Sequence, residues 1–294
     1  MKTSNKYNPV RCPGTILYIG ILILLLIPSH GYPDEAYKLL MDASKDADYS
    51  VPSMDELGDA ERLFERLFNG MLDANTRRLS SALGLKLMEL RQGGNDLVVI
   101  KEEDDKRMGR GFFIFRMGSH KGIAIQIPHA FSDIHTRKIG YRVFLDTNAH
   151  AIAFNTIKRD KADMAHIENS YFIAFAKAFA KTHPSGYVVQ LHGFSKGKRV
   201  TASGKRADVI ISPGRAVTTP ITMGIYNCLK DGMDVEVSLY SHEARELGGK
   251  KNSTGVTLSR MGYDGFVHIE MSKELRDTLI KDEDRLKGLE RCIQ

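Results

Sequence analysis

The spacing of apolar residues changes character twice along the chain. A mostly apolar run, Ile16 to Ile27, follows Lys2, Lys6 and Arg11 and precedes Pro28-Ser29-His30-Gly31. From Asp34 to about Gly93 the period is helical. Leu63, Phe64, Leu67, Phe68 and Met71 recur at three-and-four spacing with Glu and Arg between them, and Asp55 and Glu56 enrich the first turn. Leu79, Leu83, Leu87 and Leu90 carry the pattern on to a Gly93-Gly94 break. After Asn95 short β-type runs take over: Leu97–Ile100, Phe112–Arg116 and Gly122–Ile127, separated by charged or glycine-containing turns. Strands and helices then alternate. Strands are predicted at Ala151–Phe154, Tyr187–Leu191, Val209–Ile211, Val235–Tyr240 and Phe266–Ile269, and helices at Ile167–Lys181, Thr219–Asp231 and Lys273–Leu286. Such alternation predicts an α/β layered sheet. The stripe Phe172, Phe175, Phe179 is assigned to the core.

The N-terminal pattern reads as a basic region, an apolar core and a small-residue exit, which is a secretory signal with cleavage expected after Gly31. The apolar run is shorter than the ~20 residues that span a bilayer; an uncleaved anchor is the alternative. The expected organisation is a signal peptide over 1–31, an N-terminal helical segment over 32–95 and an α/β domain over 96–294. Location is then secreted or periplasmic, with no stable membrane insertion after the signal is removed. Of 42 basic and 36 acidic residues, the leader holds three basic and no acidic ones, so the net charge falls from +6 to +3 on cleavage. The one dense basic run, Lys196-Gly197-Lys198-Arg199 with Lys205-Arg206, lacks the interleaved aromatics of a nucleic-acid stripe, and no nucleic-acid partner is expected. Only Cys228 and Cys292 survive cleavage. In an oxidising compartment they can pair, or one is a buried small hydrophobe and the other an exposed thiol.

Three of the predicted strands end in chemistry. Ile123–His129 and Tyr187–His192 deliver histidines, and Phe266–Glu270 delivers a carboxylate. Ligands collect at the carboxyl ends of strands in open α/β sheets. Asp133, four residues after His129, completes a His-Asp-His set for zinc, which takes three protein ligands and leaves one position open in catalytic sites. Asp133 also suits the cap of a helix beginning near Ile134. Glu270 is then the candidate base. Arg159, after the strand Ala151–Phe154, offers a planar fork for a substrate carboxylate, or pairs with Asp160 or Asp163. Arg137, Arg142 and Arg215 are the reserve candidates. His150 and His166, which end no strand, read as hydrogen-bonded or exposed histidines, and His268 as a structural residue on the face of Glu270 but deeper in the sheet, with a role behind the site as the alternative.

At Pro128-His129…Asp133, Asn155…Arg159, Gln190-Leu191-His192-Gly193 and Phe266…Glu270 the chain resembles the N-formylglutamate amidohydrolase family and, more distantly, zinc carboxypeptidases and aspartoacylase-like deacylases. The resemblance covers roughly Leu97 to Leu286. It implies a three-layer α/β/α fold around a mixed sheet, one Zn2+ held by His129, Asp133 and His192, Glu270 as general base, and Arg159 with Asn155 at the substrate's carboxylate. Carboxypeptidases space their first two ligands as His-x-x-Glu, whereas Asp133 stands one residue further on, which leaves His135 as a competing ligand. The function so implied is an exported zinc amidohydrolase or carboxypeptidase acting on a small peptide or N-acyl amino acid. Export argues against formylglutamate itself. Two other classes stay open: a non-haem iron oxygenase, since two histidines and a carboxylate also make its facial triad, and a non-catalytic envelope protein binding peptide or cell-wall fragments.

Overall fold

A computed structural model describes Met1, residues 35–44 and residues 48–294. The chain divides into two units, 1–33 and 34–294. The expected leader and its cleavage point lie outside the described residues. Every helix and strand named below belongs to the second unit.

Local sequence signals set most of its elements. Helix α1 is Glu35–Ala43 and α2 is Met54–Phe68. The latter starts at a capping box in which Ser53 and Glu56 satisfy each other's backbone N–H groups. Helix α3, Ala74–Ala82, is capped by Asp73. The helical period expected to run on to Gly93 stops there. Residues Leu85–Gln92 form strand β1, paired antiparallel with β2, Asn95–Glu102. Gly93 and Gly94 have φ of 56° and 80°, the left-handed pair that a two-residue hairpin turn needs. Leu85 is buried on this strand while Lys86, Glu89 and Arg91 are exposed. The four-residue steps Leu79–Leu83–Leu87 are compatible with both periods, and the turn decides between them. The boundary drawn at 95/96 therefore falls inside a hairpin.

The remaining elements are β3 Phe112–Arg116, β4 Lys121–Ile127, α4 Thr136–Asp146, β5 Ala149–Phe154, α5 Tyr171–Thr182, β6 Tyr187–Phe194, α6 Ala202–Arg206, β7 Val209–Ser212, α7 Pro220–Gly232, β8 Val237–Leu239, α8 Ser253–Arg260, β9 Phe266–Ser272, α9 Lys273–Leu279 and α10 Glu283–Ile293. The helix expected over Lys273–Leu286 is thus two, the second restarted by the Asp282 cap. The strands make one nine-stranded sheet in the order β1-β2-β3-β5-β4-β6-β9-β7-β8. Its centre, β5-β4-β6-β9, is parallel, and β3 against β5 and β7 against β9 are antiparallel. One face packs on residues such as Phe144, Leu229 and Leu289 from α4, α7 and α10. The other packs on Phe64, Phe172, Phe175 and Phe179 from α2 and α5. This is the expected three-layer α/β/α arrangement around a mixed sheet. Cys228 on α7 and Cys292 on α10 form a disulfide with their Cα atoms 5.4 Å apart. Among the described residues no helix is long and apolar enough to cross a membrane.

Candidate metal and catalytic centre

Parallel β4, β5, β6 and β9 all point their carboxyl ends at one cavity of about 740 Å³. His129 lies just beyond β4, whereas His192 and Glu270 lie inside β6 and β9, which run past their predicted ends. These two are register partners across the β6–β9 ladder. His129, Asp133, His192 and Glu270 all line the cavity, and the ligand atoms of the first three lie within 4.8 Å of one another.

Hydrogen bonds fix how each imidazole is presented. Asn252 Oδ1 accepts from the backbone N–H groups of Thr254 and Gly255, so its Nδ2 faces Gln190 Oε1 at 2.7 Å. Gln126 Nε2 donates to the carbonyl of Phe172, so its Oε1 accepts from Gln190 Nε2. Gln190 Oε1 is thereby an acceptor, and His192 Nε2–H donates to it at 2.9 Å. The proton sits on Nε2, and the lone pair of Nδ1 is left free. Burial, with His268 and His129 close by, holds the His192 pKa well below the usual histidine range, so the ring is neutral. His129 Nε2 donates to Asp163 Oδ1 at 2.8 Å, while its Nδ1 faces Asp133 Oδ2 at 3.2 Å. Burial opposes protonation of His129, but the Asp133 and Asp163 carboxylates outweigh it and raise its pKa.

The donor set fits zinc. Two imidazole nitrogens and a carboxylate oxygen are its usual ligands, and in a tetrahedral site with bonds of about 2.0–2.1 Å neighbouring ligand atoms stand roughly 3.3 Å apart. The Nδ1–Oδ2 separation of 3.2 Å matches that spacing. Asp163 would then do what carboxylates behind metal-bound histidines do, fixing the ring and its tautomer. A second trio, His192, His268 and Glu270, also has ligand atoms within 4.8 Å, but its His268–Glu270 separation is the wider one at 3.9 Å. Glu270 Oε2 and His268 Nδ1 are buried without hydrogen-bond partners, as expected of groups turned towards a ligand site. Burial, and then the Asp133 carboxylate, push the Glu270 pKa up to about 8.

The other expected residues separate. Asp133 does not cap α4: the N-cap residue is His135, and the Asp133 carboxylate instead accepts from Gly193 N–H at 2.9 Å. His135 faces Asp277 at 3.2 Å and belongs to no ligand trio among the described residues. Arg159 lines the cavity at its half-exposed rim, and its Nε donates to Asp163 Oδ2 at 3.0 Å. One carboxylate therefore ties Arg159 to His129. Asn155, expected beside Arg159 at a substrate carboxylate, is fully buried. Its Nδ2 donates to the carbonyls of Pro128 and Ile157 and its Oδ1 accepts from Ile157 N–H, so it holds the turn that carries His129 and does not line the cavity. Arg137, Arg142 and Arg215 do not line it either. Gly193 is required by close approach: a Cβ there would collide with the Arg276 guanidinium, and that arginine is itself held by the carbonyls of Met271, Ile134 and Phe194.

Gln126 and Asn252 have no place in the sequence-based expectation, Gln190 enters it only within the run Gln190–Gly193, and Asp163 only as a surface partner of Arg159. Gln126 and Gln190 are register partners in two otherwise apolar central strands. A glutamine in the middle of each of two such runs is the available signal.

A scan against protein-family profiles finds no match, and a search of curated proteins finds none. Among solved structures the chain is similar to a bacteriophage poly-gamma-glutamate hydrolase (12% identity, TM-score 0.38, 64% of this chain and 88% of that one). It is also similar to the cell shape determinant Csd4 of Helicobacter pylori, solved with a bound tripeptide (10% identity, TM-score 0.38, 71% and 55%). A third is the LapA aminopeptidase of Legionella pneumophila (9% identity, TM-score 0.36, 87% and 67%).

Proposed function

We propose that the chain is an exported, zinc-dependent amidohydrolase or peptidase that cleaves an amide bond near a free carboxylate in a peptide or N-acyl amino acid. The observation that carries this reading is the convergence on one cavity of His129, Asp133 and His192, at ligand spacing, with the unpartnered carboxyl oxygen of Glu270. His129 Nδ1, Asp133 Oδ2 and His192 Nδ1 would hold the ion. Zinc would act as a Lewis acid towards the amide carbonyl and make water acidic enough to ionise near neutral pH.

The chain's own groups supply the rest. Glu270, with one oxygen free of any protein partner, would be held as a carboxylate by the charge of a bound ion, which opposes the burial that raises its pKa; it then takes the proton of the attacking water and returns it to the leaving amine. Gln190, fixed by Gln126 and Asn252, keeps the His192 proton on Nε2. Arg159 spends its Nε on Asp163 and keeps its terminal nitrogens for a substrate carboxylate. Lys198, Arg245, Lys250 and Lys251 line the same cavity, are exposed and lack ion pairs among the described residues, which favours a substrate carrying negative charge. Export is supported by the leader sequence and by the Cys228–Cys292 disulfide, since such bonds persist in oxidising compartments.

The test is mass spectrometry of acidic peptides and N-acyl amino acids after incubation with zinc-loaded protein. Wild type should cleave, and Glu270→Gln should retain zinc while losing ~10²–10⁴-fold in kcat. Zinc-loaded wild type that binds such compounds and never cleaves them would establish a binding protein instead. Bound iron with ferrous-dependent oxygen uptake would establish an oxygenase.

A further inference from the structure

A second group of histidines lies at the other end of the sheet. His120 immediately precedes β4, His150 is the second residue of β5, and His183 follows the last residue of α5. These positions sit at the amino ends of strands whose carboxyl ends carry the cavity. The six residues of β5 put roughly 20 Å between the two ends. The ligand nitrogens of all three rings lie within 4.8 Å of one another.

The hydrogen bonds again fix the tautomer. Thr182 Oγ1 has one proton, which it gives to the carbonyl of Ala178, one turn back, at 2.9 Å. Its oxygen therefore accepts from His183 Nδ1–H at 2.8 Å. That leaves the His183 Nε2 lone pair to accept a hydrogen bond from His150 Nδ1–H, 3.1 Å away, the proton whose place an ion between the two nitrogens would take. His120, half-buried on the turn before β4, stacks on His150 with ring centroids 3.4 Å apart, and its Nδ1 lies 3.3 Å from the Lys121 carbonyl, so its Nε2 is the nitrogen left for an ion. Phe68 and Phe179 wall the group with aromatic edges and faces. Burial, with the neighbouring imidazoles adding to it, pushes His150 down to about 2 and lowers His183 as well, so both rings are neutral and carry lone pairs.

We propose that His120, His150 and His183 form a second, structural site for a divalent transition-metal ion of the zinc type, tying the turn before β4, the start of β5 and the end of α5 together. The chemistry selects the ion: three neutral imidazoles and no carboxylate suit Zn2+ or Cu2+ and not Mg2+ or Ca2+. The 3.1 Å between His150 Nδ1 and His183 Nε2 is the spacing of two ligands on one tetrahedral ion, and Thr182 stands behind His183 as its orienting partner. None of the three rings touches the catalytic cavity. The site carries no chemistry of its own, and its effect is to fasten the end of the sheet opposite that cavity.

The experiment uses the full chain in a His129→Ala/His192→Ala background, where the catalytic trio is gone and activity plays no part. That protein should still hold one zinc per chain by elemental mass spectrometry after dialysis. It should also show a zinc-dependent rise in Tm and give the visible absorption of nitrogen-ligated Co2+ when cobalt replaces zinc. Adding His183→Gln or, separately, His120→Ala should weaken zinc binding by at least ~10-fold, since three ligands leave no redundancy. His120→Ala alters a turn residue, so its fold, checked by circular dichroism, guards against loss of structure in His183→Gln. A folded background protein that holds no zinc would overturn the proposal, and so would zinc affinity unchanged by both added substitutions. Neither outcome touches the catalytic reading, which is tested on the wild-type cavity.

Discussion

Replacing Gln190 with leucine tests whether an amide chain, and not the ligands alone, builds the candidate metal centre. The two side chains are similar in size, and Gln190 is fully buried, so packing changes little. The polar balance changes a great deal. Leucine strips an acceptor from His192 Nε2 and from Asn252 Nδ2, and a donor from Gln126 Oε1 and from Thr254 Oγ1. Each buried polar group left alone costs about 1–3 kcal/mol. Four of them give a loss of ~4 kcal/mol or more, a large share of the 5–15 kcal/mol typical of a whole domain. His192 would also lose the partner that fixes its tautomer, and such losses weaken metal binding by ~10–100-fold. Urea unfolding with the disulfide intact measures the first effect, and competition against a zinc chelator measures the second.

The double variant Gln126→Leu/Gln190→Leu sharpens the test. The bond between the two amides is lost only once, so the pair should cost less than the sum of the singles by at least ~0.5 kcal/mol, the coupling expected of residues in contact. A Gln190→Leu protein within about 0.5 kcal/mol of wild type, with unaltered zinc affinity, would refute the reasoning.

How legible the centre is in the sequence depends on whether a residue's role is local or borrowed. His129, His192 and Glu270 can be found because each sits near the carboxyl end of an apolar run, and sheet topology turns such ends into neighbours. Asp133 is found by spacing, although its reach across to Gly193 N–H is a tertiary fact. Asn155 misleads because an asparagine after a strand looks the same whether it faces a ligand or closes its own turn; the choice is made by the carbonyls of Pro128 and Ile157. His150 reads as a hydrogen-bonded or exposed histidine because it ends no strand. Its two imidazole neighbours come from segments 30 and 33 residues away in the chain, a proximity that only the fold creates. The α/β alternation is legible for the same reason that β1 is not. Long segments carry many repeats of one period, whereas Leu85–Gln92 is short, and the four-residue step from Leu83 to Leu87 that leads into it satisfies either.

Two further outcomes rest on the same packing. Replacing Cys228 and Cys292 together with serine removes a link spanning 64 residues and should destabilise the fold by up to about 4 kcal/mol, read by urea unfolding; no loss would mean that the unfolded chain gains no freedom from the cut. Glu290, on α10, sets a pH dependence. Its Oε1 is buried without a partner, and burial, with Asp146 beside it, raises its pKa from the ordinary 4.5 to about 7. A carboxyl whose folded pKa is raised binds its proton more tightly in the folded state. Its stabilising contribution is complete below about pH 4.5 and is lost as the pH rises through about 7, where folding must hold a second negative charge against Asp146. Glu290→Gln keeps the shape and removes the charge. Thermal unfolding of both proteins should show wild type losing Tm relative to the variant as the pH rises, with the gap opening between about pH 4.5 and 7 and level by about pH 8. Parallel curves would mean that the Glu290 carboxyl titrates alike folded and unfolded, and that Asp146 does not reach it.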